Sequence, residues 1–218
     1  GAFLLQETLP VSERTQSNTI QSILGLRKIA QKPNFMSLLL VGAFISAPYM
    51  AYLALASYIY IDGFGVSETT FSMYFAINSA AAILGPIMYM RFGAGSVKKV
   101  INVGIVVAII SAVLILTVGN ISPIIFLLSY VIYSIVTSYF RPLISDLLLS
   151  ATKTDVGAAS SVMNFVFTVL CSVGMIVGSL AWSSYISGLA ITMLIFIAIT
   201  ILVWFYILKA KSIKFDWK

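Results

Sequence analysis

The sequence predicts an all-α integral membrane fold, a bundle of six transmembrane helices, and three observations carry that prediction. Charge is scarce: 9% of the residues are Asp, Glu, Lys or Arg against 60% hydrophobic, with a mean hydropathy of +1.04, where a soluble domain carries roughly 25% charged residues. Such an inventory cannot cover a water-facing surface. Uncharged runs at 33–61, 69–90, 100–140 and 156–208 each supply the ~20 apolar residues needed to cross ~30 Å of hydrocarbon, and the last two are long enough for two crossings each. The third observation is the placement of the cations, which gather between the runs on alternate connections, as in cytoplasmic loops.

Residues 1–34 read as the end of a preceding helix followed by a basic cytoplasmic linker. Gly1 to Leu5 resembles a helix end begun upstream, Gln6 to Pro10 closes it, and the stretch with Arg14, Arg27, Lys28 and Lys32 contains a short amphipathic piece at 20–30. The six-helix domain is 35–208. Its first helix, 35–61, ends in the two-glycine turn Asp62-Gly63-Phe64-Gly65. Ser67 then offers an oxygen to the freed N–H groups of a second helix, 70–90, and Glu68 suits the positive helix end. Arg91 to Lys99 is a short basic loop before the third helix, 100–118. Pro123 cannot continue a helix but fits a first turn, so it divides the long run and opens the fourth helix, 123–150. A loop with Lys153 precedes the fifth helix, 156–181, and Trp182 to Gly188 separates it from the sixth, 189–208. The basic tail is 209–218.

With the first connection cytoplasmic, Arg14, Arg27, Lys28, Lys32, Arg91, Lys98, Lys99, Lys153 and the four terminal lysines all fall inside, and the outer loops carry only Asp62 and Glu68. Both ends of the chain then face the cytoplasm, in a plasma membrane. Arg141 is the one cation left inside a helix.

Several chemistries have no support. Cys171 stands alone and the sequence has no histidine, so a disulfide framework and a zinc site are excluded within the chain. No phosphate-binding loop, catalytic triad or paired carboxylates at membrane depth occur. The chain is expected to be no enzyme, to need no cofactor or metal, and to bind no nucleic acid, since its cations form topological clusters and no single patch.

Polar residues at membrane depth mark where a cavity can lie. On the fourth helix Tyr130, Ser134, Thr137, Arg141 and Ser145 recur at three- and four-residue steps and share a face. Asp146 is offset from Arg141 by roughly 140°, so it shares a face with Ser150 and Lys153 instead. Counted from Pro123, Arg141 lies ~27 Å along the helix, where it can either anchor the helix at the interface or act on a substrate or gate. The first helix carries Ser46, Tyr49, Ser57 and Tyr60 on one face with Pro48 to kink it. The second carries Phe71, Tyr74 and Asn78, and the fifth carries Ser161, Asn164, Thr168 and Cys171 or Ser172. Gly174 and Gly178, four apart, permit close helix contact.

These features in this order resemble the C-terminal half of a major facilitator superfamily transporter, of the Bcr/CflA group of drug:proton antiporters. Glu7-Thr8-Leu9-Pro10 resembles the sequence closing that family's sixth helix. Ser57 to Ser67 followed by Phe71 to Asn78 resembles its passage from the seventh to the eighth helix, Gly157-Ala158-Ala159-Ser160-Ser161 the opening of its eleventh, and Arg91-Phe92-Gly93 with Lys98-Lys99 its basic loop. A proline usual near the end of the seventh helix is replaced by Ser57. The resemblance implies one half of a major facilitator fold, alternating access against an N-terminal six-helix half, and coupling carboxylates located in that other half. It implies as partners that half, membrane lipid, a small-molecule substrate and protons, with efflux of drugs or metabolites as the activity. The candidate cavity residues are Ser46, Tyr49, Ser57, Tyr74, Asn78, Tyr133, Thr137, Arg141, Asn164 and Thr168. The candidate gate and loop residues are Arg91, Gly93, Lys98, Lys99, Asp146 and Lys153. The alternative is a non-transporting six-helix scaffold or assembly subunit.

Overall fold

The computed structural model describes residues 19–93, 95–152 and 156–210. The expected upstream helix end, Lys153 and the tail from 211 lie outside the described residues. Among those described, every element is helical and six segments are long and apolar enough to cross a membrane: Pro33–Gly63, Glu68–Phe92, Val97–Val118, Pro123–Ser150, Val156–Gly178 and Tyr185–Lys209.

A short helix, α1 (Thr19–Ala30), precedes the spans. Its Arg27 and Lys28 are exposed while Ile29 is buried, and it lies against α7. The first span, α2 (Pro33–Ser57), has proline at its start, where a missing N–H costs nothing. It continues as a π-helical turn at Tyr58–Gly63, and Gly65 then takes φ +68°, open to glycine because it has no Cβ. This span is the centre of the bundle, flanked by α6, α7 and α8.

The second span is two helices, α3 (Glu68–Ala82) and α4 (Leu84–Phe92), where the sequence suggests one. Ser67 caps it as expected, accepting from the Thr70 amide at 3.2 Å. The interruption at Ile83 follows from Pro86, which has no N–H for the carbonyl four residues back, that of Ala82. Gly85 then presses onto α6, where an added Cβ would meet the Tyr139 nitrogen at 2.6 Å and the Ile135 carbonyl oxygen at 2.7 Å.

The third span, α5 (Val97–Val118), begins before the expected position and takes Lys98 and Lys99 into its first turn. Lysine is a good helix former, so charge by itself does not delay the helix. Ser122 caps the fourth span, α6 (Pro123–Ser150), accepting from the Ile125 amide at 3.2 Å. This helix runs through Pro142 without a break. The fifth span, α7 (Val156–Gly178), ends earlier than expected. Trp182 closes it by donating its indole N–H to the Val177 carbonyl at 3.0 Å, one of the carbonyls a helix end leaves free. The sixth, α8 (Tyr185–Lys209), starts earlier than expected, so Gly188 is inside the helix beneath the Trp182 ring. Trp204 donates to the Asn102 side chain at 2.7 Å and joins α8 to α5.

Two helix contacts are set by small residues. An added Cβ on Gly174 would meet the Ala47 carbonyl oxygen at 2.4 Å, and one on Gly178 would meet the Ala51 Cβ at 2.6 Å. The glycine pair therefore lets α7 lie directly on α2, as close-packed membrane helices require.

Candidate functional site

The candidate cavity residues separate into two groups, one sealed inside the bundle and one left open. The sealed group lies between α2, α3 and α6. Tyr52 stacks on Tyr130 with ring centroids 3.9 Å apart, and Tyr60 packs on Tyr74 at 5.3 Å and edge-on to Phe126 at 5.4 Å. Phe71 and Phe75 complete this aromatic seam. Below it Tyr133 donates to the Ile45 carbonyl at 2.7 Å, close to the Pro48 position in α2. Ser134 donates to the Asn78 side-chain oxygen at 2.8 Å, so Asn78 is fully buried and clamps α3 to α6. Thr137 returns its hydroxyl to the carbonyls of Tyr133 and Ser134, and Ser46 returns its own to Gly42 at 2.7 Å. Tyr49, Ser57 and Tyr74 are half-buried at the edge of this group.

Three phenol hydroxyls in the seam stand out. Those of Tyr52, Tyr60 and Tyr130 are buried and have no hydrogen-bond partner among the described residues. A buried hydroxyl left unpaired is unfavourable by about 1–3 kcal/mol.

The open group lies on α7. Ser161, Asn164, Thr168 and Ser172 recur at steps of three and four, share one face and are all exposed, whereas Cys171 on the neighbouring face is buried. Thr168 is ~18 Å from the start of α7, near the middle of the span. Arg141 of α6 is exposed beside this stripe, with its guanidinium carbon 4.9 Å from the centre of the Phe167 ring. The ring's negative face attracts the cation and fixes it between the two helices. Thr137, one turn earlier on the same face of α6, is buried. That face therefore emerges from the protein between Thr137 and Arg141.

The described gate candidates gather where α4 ends and α5 begins, beside the last turns of α6. Tyr89 donates to the Asp146 carboxylate at 2.6 Å, and Ser150 approaches the other oxygen at 3.3 Å. Tyr139 donates to the Gly93 carbonyl at 2.6 Å, and the Tyr89 and Tyr139 rings meet edge to face at 5.6 Å. Gly93 closes α4 with φ +63°. Arg91, Lys98 and Lys99 are exposed around this latch. The sequence places Asp146 on a face with Ser150 and Lys153; Lys153 lies outside the described residues, and Asp146 accepts from the hydroxyls of Ser150 and of Tyr89, on another helix. Tyr89 and Tyr139 are not among the candidate gate residues of the sequence: Tyr89 adjoins the basic loop, where an amphipathic ring is favoured, but Tyr139 is interior to α6 and reaches Gly93 only through the fold.

No family model matches the chain. The chain is similar to an uncharacterized MFS-type transporter, YdgK, of Bacillus subtilis (strain 168), with 32% identity over 118 residues. The matched stretch spans 53% of this chain and 29% of that protein. The similarity is thus to part of an MFS-type transporter, and the described residues of this chain supply six helices fit to cross a membrane.

Proposed function

We propose that the chain is one half of a secondary active transporter that works by alternating access against a second six-helix bundle, and that it serves proton-coupled efflux of small amphipathic molecules, as in the Bcr/CflA group. The observation that carries this reading is the exposed stripe Ser161, Asn164, Thr168 and Ser172 at mid-span on α7, bordered by Arg141. Against lipid, an amide and a guanidinium at this depth are strongly unfavourable. Against a water-filled cavity closed by a second bundle, they stay hydrated and present hydrogen-bond donors to a solute.

Asn164 and Thr168 then offer neutral contacts, Arg141 a fixed cation, and Tyr49 and Tyr74 aromatic walls at the edge of the sealed seam. The Tyr89–Asp146 and Tyr139–Gly93 bonds hold the cytoplasmic end of α4 to α6 as one gate element, with Arg91, Lys98 and Lys99 around it. Coupling carboxylates belong, on the family resemblance, to the companion half. The cation distribution supports a cytoplasmic placing of both ends.

Thiol accessibility tests the cavity. In a Cys171→Ala background, Thr168→Cys in sealed vesicles is expected to react with a charged, water-soluble thiol reagent, and Ile110→Cys on the lipid side of α5 is not. Equal inertness of the two would place the α7 stripe against lipid and remove the cavity. Arg141→Ala in the full-length protein is expected to lower proton-driven uptake into inverted vesicles at unchanged expression. If no compound in a broad panel discharges a proton gradient, the coupling is wrong even where the cavity is right.

A further inference from the structure

A groove of about 460 Å³ runs along the outside of the bundle between α4 and α5, over a floor of α6. Met88 and Phe92 form one wall, Val103 and Val107 the other, and Ile135 and Tyr139 part of the floor. Beneath it the Phe140 ring occupies the notch at Gly104, where an added Cβ would meet it at 2.2 Å, so α5 and α6 close under the groove. The walls are apolar, and the one charged residue among those lining it is Lys99 at its end. Arg91 occupies the last turn of α4 and Lys98 the first turn of α5, so that end is cationic. The α5 dipole adds to the attraction for an anion there. From Lys99 to Val107 the groove extends ~12 Å along the helix axis.

A long apolar slot on a membrane-facing surface, with cations at one end only, matches an amphiphile with one anionic end. We propose that the groove binds an acyl chain of an anionic phospholipid whose phosphate is held at Lys99. The site is independent of the α7 stripe and of any transported solute. Its effect is to fill the gap between α4 and α5 and to seat a lipid against the latch formed by Tyr89, Tyr139, Gly93 and Asp146.

Native mass spectrometry of the protein, released from micelles containing equal phosphatidylglycerol and phosphatidylcholine, reads this directly. The unaltered protein is expected to retain one phosphatidylglycerol in preference to phosphatidylcholine. Lys99→Gln is expected to cut that preference about fivefold, since one cation near an anionic membrane surface contributes about 1 kcal/mol. Val103→Trp fills the groove from a residue 61% exposed, so it removes retention of both lipids while the protein still elutes as a folded species. Val113→Trp, exposed on the same helix outside the groove, leaves retention unchanged. The proposal is overturned if Lys99→Gln keeps the full preference, or if Val103→Trp retains lipid as Val113→Trp does. It is overturned equally if millimolar inorganic phosphate displaces the lipid, which indicates an anion site alone, or if Val103→Trp instead abolishes a dimer, which assigns the groove to a second copy of the chain.

Discussion

Replacing Gly174 by alanine tests the packing of α7 on α2 at the level of single atoms. The added methyl would stand 2.4 Å from the Ala47 carbonyl oxygen and 2.7 Å from its carbon, where ordinary contact begins at 3.4 Å. The obstacle is backbone in mid-helix, so rotamer changes cannot relieve it and the helices must part by about 1 Å. Overpacking of this kind typically destabilises by about 1–3 kcal/mol, partly offset by the roughly 1 kcal/mol that alanine gains over glycine within a helix. For a chain of this size the unfolding midpoint moves about 2–4 °C per kcal/mol, so a drop of several degrees is expected in detergent-solubilised protein followed by tryptophan fluorescence. Gly157→Ala is the matched control, because nothing lies within 4 Å of its added methyl. Gly178→Ala provides a sharper comparison, since its clash is with the Ala51 Cβ at 2.6 Å. Ala51→Gly should therefore rescue Gly178→Ala, whereas Ala47→Gly should leave Gly174→Ala defective because the carbonyl oxygen remains. Equal stability of the Gly174 and Gly157 variants, or rescue by Ala47→Gly, would refute the close backbone contact.

Two further predictions concern buried hydroxyls. Tyr133→Phe loses the bond to Ile45 and is expected to lower stability by about 0.5–1.5 kcal/mol, whereas Tyr60→Phe removes an unpaired hydroxyl and should be neutral or stabilising in the same unfolding assay; the opposite order contradicts the assignment of partners. Ser134→Ala strands the Asn78 oxygen and should be destabilising by about 1–3 kcal/mol. Adding Asn78→Leu to Ser134→Ala should recover most of that loss, and a double variant no better than the single one argues against the pair.

The spans were legible because crossing a bilayer demands length and freedom from charge, and both are written in the chain order. The cap at Ser67 and the start at Pro123 were legible from local chemistry, whereas the cap at Ser122 was not read. What the sequence did not reveal was what each face meets. Asn78 reads as a cavity residue, since an amide in hydrocarbon needs a partner, but the partner is Ser134 on a helix far along the chain. The spacing of Tyr130, Ser134, Thr137 and Arg141 correctly predicts a shared face. It contains no information about where neighbouring helices stop covering that face, which is between Thr137 and Arg141. The break at Ile83 did have a signal in Pro86, but the apolar run through it looks like one uninterrupted span. The aromatic seam could be seen only as stripes on separate helices, because stacking between Tyr52 and Tyr130 depends on how α2 and α6 meet.

The central position of α2 has a consequence for the order of assembly. Two of the helices that flank it, α7 and α8, follow it in the chain by about a hundred residues, which at synthesis rates of about 5–20 residues per second is a delay of roughly 5–20 s. Throughout that interval Ala47 and Ala51 face lipid or whatever membrane insertion machinery shelters them, and the small surfaces that later admit α7 have nothing to hold. Of the six spans described, the one made earliest is thus among the last to be enclosed, and any truncation that removes α7 and α8 leaves the bundle's own axis uncovered.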